Sequence, residues 1–97
     1  MNVARHFLIR GRVQGVGYRA FVEDAALDHG LAGWVRNRRS GEVEAVFAGS
    51  LAAVSTVVHA CRRGPPAARV DSIDEREATA EELALGGGVR FAVLPTL

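Results

Sequence analysis

An α+β fold, one antiparallel sheet with two helices on one of its faces, is what this sequence predicts, and three observations predict it. Apolar residues alternate with polar ones near the N-terminus and near the C-terminus, as strands with one buried face require, and a Ser-Gly turn joins two further strand stretches between them. Between these stretches, residues near 19–29 and 51–63 switch to helical spacing. Each helical stretch closes on glycine, and the second runs into Gly64-Pro65-Pro66, which a helix does not pass through.

Each element follows in chain order. From Val3 to Val13, Phe7, Ile9 and Val13 point one way and His6, Arg10 and Arg12 the other, which predicts a strand over about residues 5–12. Residues Arg19 to His29 read as a helix with Tyr18, Phe21, Val22 and Ala25 as its buried stripe and Glu23, Asp24 and Asp28 on the wet side; Gly30 stops it. Trp34-Val35-Arg36 and Val43 to Phe47 are two strands, and Ser40-Gly41 marks the hairpin between them. Ser50 caps a second helix whose Val54, Val57, Val58 and Cys61 share a face, with Arg62 and Arg63 in its last turn. Residues 69–78 alternate poorly, with Val70 and Ile73 out of phase, and predict an edge strand with a bulge. The acidic and then glycine-rich stretch 79–88 reads as a loop, and Val89, Phe91 and Val93 as a short last strand. The order βαββαβ, plus that last strand, is the split βαβ or ferredoxin-like arrangement. With no repeat, low-complexity tract or linker, residues 1–97 are expected to form one domain.

Composition narrows the chemistry. The formal net charge is +1, so no bulk field draws the chain to nucleic acid or to an anionic membrane. All 12 basic residues are arginine, which removes Schiff-base, lysine-nucleophile and Walker-loop chemistry together. The single cysteine, Cys61, rules out an internal disulfide and suits a reducing cytoplasm. No leader peptide and no apolar run long enough to span a bilayer is visible, so a cytoplasmic location is expected.

The stretch that concentrates chemistry is Gly11-Arg12-Val13-Gln14-Gly15-Val16-Gly17-Tyr18-Arg19, between the first strand and the first helix. Its glycines allow tight turning and close backbone approach, and the helix start offers unpaired N–H groups and a positive dipole end. A glycine loop at a helix N-terminus suits an anion, and Arg19 adds a forked cation matched to phosphate oxygens. A tight turn with a solvated arginine accounts for the same residues, with even weight on this ground alone. Topology adds a second residue. In each βαβ unit the two strands run parallel, so the C-terminal ends of the first and second strands lie on one side of the sheet. One strand separates them, roughly 10 Å from axis to axis. Asn37 ends the second strand and faces the loop that leaves the first.

The same loop resembles the N-terminal signature of the acylphosphatase family, and Gly33-Trp34-Val35-Arg36-Asn37 is similar to that family's other motif at the matching distance. The likeness continues through Arg62 to Asp71, spans roughly residues 6–73 and is looser over the last twenty or so. It implies a hydrolase that splits the carboxyl-phosphate bond of small acyl phosphates, releasing a carboxylate and inorganic phosphate. It also implies roles for two residues, Arg19 binding phosphate and Asn37 orienting the attacking water. Backbone N–H groups of Gln14, Gly15, Val16, Gly17 and Tyr18 would complete the cradle with Arg19. Asparagine has no useful pKa and is no general base, but it can hold a water. That suffices when the leaving group is a carboxylate, whose acid has a pKa of about 4. No metal or cofactor is expected, no nucleic-acid or membrane partner, and a monomer. A similar module occurs within larger maturation enzymes; the chain's length favours a free-standing enzyme.

Other readings have weaker support. Gly15-Val16-Gly17-Tyr18-Arg19-Ala20 fits the dinucleotide fingerprint G-x-G-x-x-A, but the chain is too short for that fold and the next strand ends in Asn-Arg-Arg rather than an acidic residue. A cysteine phosphatase needs arginine six positions after its cysteine, where Ala67 stands. His6, His29 and His59 lack metal-ligand spacing and read as surface or satisfied histidines, Cys61 and Trp34 as packing residues, and Arg38 and Arg39 as a solvated hairpin. The rival from another class is an RNA-recognition-type module, which shares the βαββαβ order and whose aromatic motif Val16 to Val22 faintly echoes. That motif belongs on the third strand, where only Phe47 is aromatic here. A non-catalytic anion-binding domain is the third reading, and the pairing of Arg19 with Asn37 weighs against it.

Overall fold

The computed structural model describes residues 1–88 and 90–97. Its elements are β1 (Asn2–Arg12), α1 (Tyr18–Asp28), β2 (Ala32–Asn37), β3 (Val43–Ser50), α2 (Leu51–Arg63), β4 (Arg69–Glu77), α3 (Ala80–Ala84) and β5 (Ala92–Val93). The strands lie in the order β4-β1-β3-β2-β5. The four long strands pair antiparallel, as expected of the ferredoxin-like order, while β5 joins β2 in parallel and makes the sheet mixed. Of the residues expected in that last strand, Phe91 is buried just before β5, Val93 lies in it, and Val89 falls outside the described residues.

Alternation along the strands divides the sheet into two faces. Phe7 and Ile9 on β1, Val35 on β2, and Val43, Ala45 and Phe47 on β3 join one apolar core with Tyr18, Val22 and Ala26 of α1 and Val54, Val57, Val58 and Cys61 of α2. Phe47 sits at its centre, with ring centroids 5.1 Å from Phe7 and 5.7 Å from Phe91. Burying each large aliphatic or aromatic side chain stabilises the fold by about 1.5–3 kcal/mol, and this face holds most of them. Its aromatics face the helices, whereas an RNA-recognition module would turn them outward for bases to stack on. The α1 stripe is rotated slightly from expectation: Ala26 is buried, and Phe21 and Ala25 are only half-buried.

The helix boundaries follow local chemistry. Ser50 Oγ accepts from the Ala53 N–H at 3.1 Å and starts α2. α1 ends in a Schellman pattern, with Gly30 N–H donating to the Leu27 carbonyl at 3.1 Å and Leu31 N–H to that of Ala26 at 2.9 Å. In β4 the register against β1 steps from Arg10↔Ser72 to Gly11↔Val70, so an extra residue sits between. That bulge brings Val70 and Ile73, out of phase in sequence, both against the core.

The stretch expected to be a loop holds a helix instead. α3 is five residues long and opens on a reciprocal capping box: Thr79 Oγ1 accepts from the Glu82 N–H at 3.1 Å, and the Glu82 carboxylate accepts from the Thr79 N–H at 2.9 Å. It lies on the other face of the sheet. There it covers Trp34, whose indole N–H donates to the Glu82 carbonyl at 2.6 Å. No helix of the described residues is long and apolar enough to cross a membrane.

Candidate active site

The loop from Val13 to Gly17 joins the exposed end of β1 to the start of α1. Gly15 and Gly17 have φ of 72° and 79°, in the left-handed region that costs other residues about 1–2 kcal/mol. A Cβ built on either meets nothing within 4 Å, so backbone conformation and not crowding selects glycine. Gly17 is the N-cap of α1 and offers no capping side chain. Among the described residues, no group accepts from the amides of Gln14 to Tyr18. A helix start left in this state carries unsatisfied donors and a positive dipole end.

A cavity of about 190 Å³ opens at this point, lined by Val13, Gln14, Gly15, Gly17, Tyr18, Arg19, Ala20 and Asn37. Gly15 and Gly17, having no side chains, line it with backbone. Arg19 is half-buried and has no hydrogen-bond or ion-pair partner among the described residues, unlike Arg5, Arg10, Arg36, Arg38, Arg69 and Arg76, all paired with carboxylates. Asn37 reaches the same cavity from the end of β2, across β3 from the loop. Its backbone is held by the pairing with Val43 and by the Leu97 N–H, which donates to its carbonyl at 3.1 Å. Its Oδ1 is buried with no partner, the one such side-chain atom among the described residues. Buried acceptors are nearly always satisfied, so an unmet one beside a cavity calls for a ligand or water.

Val16 is the expected cradle residue that does not line the cavity; its side chain packs against the core. Gln14 lines it, and its side chain has a further part not read from the sequence. The amide N–H₂ donates to the carbonyls of Arg38 and Glu42, both at 2.8 Å, and so ties the loop to the β2–β3 hairpin. Tyr18 is buried and seats the loop on α2: its hydroxyl donates to the Cys61 carbonyl at 2.7 Å. The N–H that would otherwise meet that carbonyl belongs to position 65, which is proline and has none. Burial raises the Tyr18 phenol above its ordinary range and pushes the Cys61 thiol up to about 12, so neither titrates near neutrality.

The remaining candidates lie elsewhere. His6 is buried on the opposite face with Glu44, Nε2 to Oε2 at 2.7 Å, and Glu82 Oε2 is 3.9 Å away. Ligand atoms of these three residues lie within 4.8 Å of one another, a grouping that sequence spacing does not reveal. Both carboxylates are already engaged: Glu44 by Arg36 at 2.8 Å and Arg38 at 3.1 Å, Glu82 by both terminal nitrogens of Arg76. Burial opposes the charge of Glu44, but the hydrogen bonds from His6, Arg36 and Arg38 outweigh it and hold the carboxyl below its ordinary range. Arg38, expected to be solvated, is thus partly held by Glu44, while Arg39 is exposed. His29 and His59 are exposed.

Comparison with known proteins bears on the family and the fold. The family model described as Acylphosphatase matches residues 5–91. The chain is 58% identical over 91 residues to an acylphosphatase of Bradyrhizobium diazoefficiens, covering 93% of this chain and 92% of that one. It is 53% identical over 97 residues to an acylphosphatase of Rhodopseudomonas palustris, covering 99% and 98%. The crystal structure of acylphosphatase from Bacillus subtilis superposes with a TM-score of 0.84 at 37% identity, over 97% of this chain and 99% of that one.

Proposed function

The chain belongs to the acylphosphatase family, and from that premise we propose how its residues share the hydrolysis of an acyl phosphate. The phosphoryl group enters the cavity, and the free amides of the Gln14 to Tyr18 segment take its oxygens. Arg19 completes the cradle with a fork that matches two oxygens at once. Asn37 holds the nucleophile, its Oδ1 accepting a hydrogen bond from the attacking water. The water oxygen bonds to phosphorus, the bond from phosphorus to the carboxylate oxygen breaks, and the water's proton passes to the phosphate. The products are a carboxylate and inorganic phosphate. Phosphoryl transfer asks for positioning and charge stabilisation more than for covalent help, and these residues are suited to that. The cavity lining among the described residues contains no carboxylate or imidazole, so the reaction is expected to proceed in the presence of a chelator.

The observation that carries this reading is the unpartnered Asn37 Oδ1 at a cavity that also holds an unpaired arginine. Asn37 makes no hydrogen bond to the hairpin through its side chain among the described residues, and Gln14 braces the hairpin instead. Asn37→Ala is expected to lower kcat by roughly a hundred- to a thousandfold, as loss of an aligned hydrogen-bonding group in a catalytic site does. Inhibition by inorganic phosphate should be unchanged, since the cradle is intact. A variant with full turnover would remove Asn37 from the mechanism.

A further inference from the structure

The two halves of the site come from separate elements, and the Gln14 side chain spans them. Asn37 pairs with Val43, and the next positions outward are Arg38 and Glu42. Arg38 N–H donates to the Glu42 carbonyl at 2.8 Å, and Gly41 N–H to the Arg38 carbonyl at 3.0 Å. Each carbonyl has two lone pairs, so each retains one after the hairpin has closed. The two hydrogens of the Gln14 amide fill both, at 2.8 Å each. Gln14 precedes the first cradle glycine, and its partners flank Asn37 and Val43 directly.

We propose that Gln14 is a positioning residue: its side-chain amide sets the distance between the phosphate cradle and the Asn37-bound water. The inference deepens the assignment of Asn37 above and rests on it. The hairpin stays closed without Gln14, because its own hydrogen bonds do not involve that residue. What changes on losing the amide is the position of the loop relative to the hairpin, beside which the sheet holds Asn37. A displacement of about 1 Å between reacting groups lowers rate by up to roughly a hundredfold. The cradle is made of backbone and Arg19, so substituting the Gln14 side chain leaves its donors in place.

The test is a double-mutant cycle with Gln14→Met, which keeps length and removes both donors. Alone, it should lower kcat by roughly tenfold or more. The inhibition constant for inorganic phosphate should move by less than about twofold, since the cradle's charge-assisted bonds are kept. Placed on Asn37→Ala, it should lower kcat no further, because there is no oriented water left to misplace. Gln14→Glu keeps the shape but turns a carboxylate toward two carbonyls, and should fall at least as far. Equal loss in both backgrounds, or a matching loss of phosphate affinity, would overturn the proposal by showing that Gln14 acts on the cradle or on the fold as a whole. Normal kcat in Gln14→Met would overturn it as well. Failure of the Asn37 assignment is separately visible, as full turnover in the single variant Asn37→Ala.

Discussion

Arg19 carries a charge, but its geometry distinguishes it from the other arginines. Six of them hold carboxylates, whereas Arg19 lines the cavity beside backbone donors with its guanidinium unpaired among the described residues. A guanidinium meets two phosphate oxygens in parallel; an ammonium meets them as a point charge. In the proposed phosphate-binding role, Arg19→Lys would therefore keep the field and lose at least one charge-assisted bond, about 1.5–3 kcal/mol. The expected result is a fall in kcat/KM of roughly ten- to a hundredfold. Rates close to those of the unaltered enzyme would show that charge alone is needed. Arg19 and Asn37 were legible as residues because each stands at the end of a recognisable pattern, one opening a helix and the other closing a strand. Gln14 was legible only as a backbone donor. Its side-chain partners are carbonyls on another element, and a carbonyl leaves no trace in residue type.

Among the elements, β4 and α3 show where periodicity succeeds and where it ends. The bulge in β4 was readable because Val70 and Ile73 break alternation by one position, and one inserted residue restores their common face. α3 was not readable, since five residues give too little periodicity to separate helix from loop. Its capping box from Thr79 to Glu82 was the available signal. Glu82 also holds this helix to the sheet through Arg76. Hydrogen bonds from Arg76, and then from the Thr79 N–H, lower its carboxyl from 4.5 to about 2. Because the folded value lies below the unfolded one, the stabilisation is complete above pH 4.5 and is lost as pH falls toward 2. Glu82→Gln is thus expected to be less stable than the unaltered protein at neutral pH. The difference in unfolding free energy should narrow steadily between pH 4.5 and 2, measured by urea titration at each pH. A gap that stays constant across that window would mean that the carboxylate's charge does not hold α3.

For the molecule as a whole, the proposed cradle can form only when the fold does. Its loop leaves β1, its arginine opens α1, Tyr18 anchors that helix to α2, and Asn37 arrives on β2 with β3 between. The topology was readable from element order, and it alone brought Arg19 and Asn37 to one edge; the cavity's closure by Gln14 and Tyr18 depends on long-range hydrogen bonds that order does not encode. An unfolded chain offers phosphate scattered arginines and no ordered amides, so on the proposed assignment phosphate is expected to bind the folded state and raise its stability by mass action. At a concentration of about a hundred times the dissociation constant the gain is about 2.7 kcal/mol. For a domain of this size each kcal/mol moves Tm by about 4–8 °C, so a rise of about 10–20 °C is expected. Phosphate also stabilises proteins generally, by exclusion from their surfaces, and that contribution does not saturate. Arg19→Ala separates the two contributions: its Tm should keep the slow linear rise with phosphate and lose the saturable part. Asn37→Ala should retain both, since its cradle is whole. If the saturable rise survives in Arg19→Ala, phosphate is held somewhere other than this loop; if it disappears in Asn37→Ala, the asparagine binds the phosphate itself and the division of labour between the two residues is wrong.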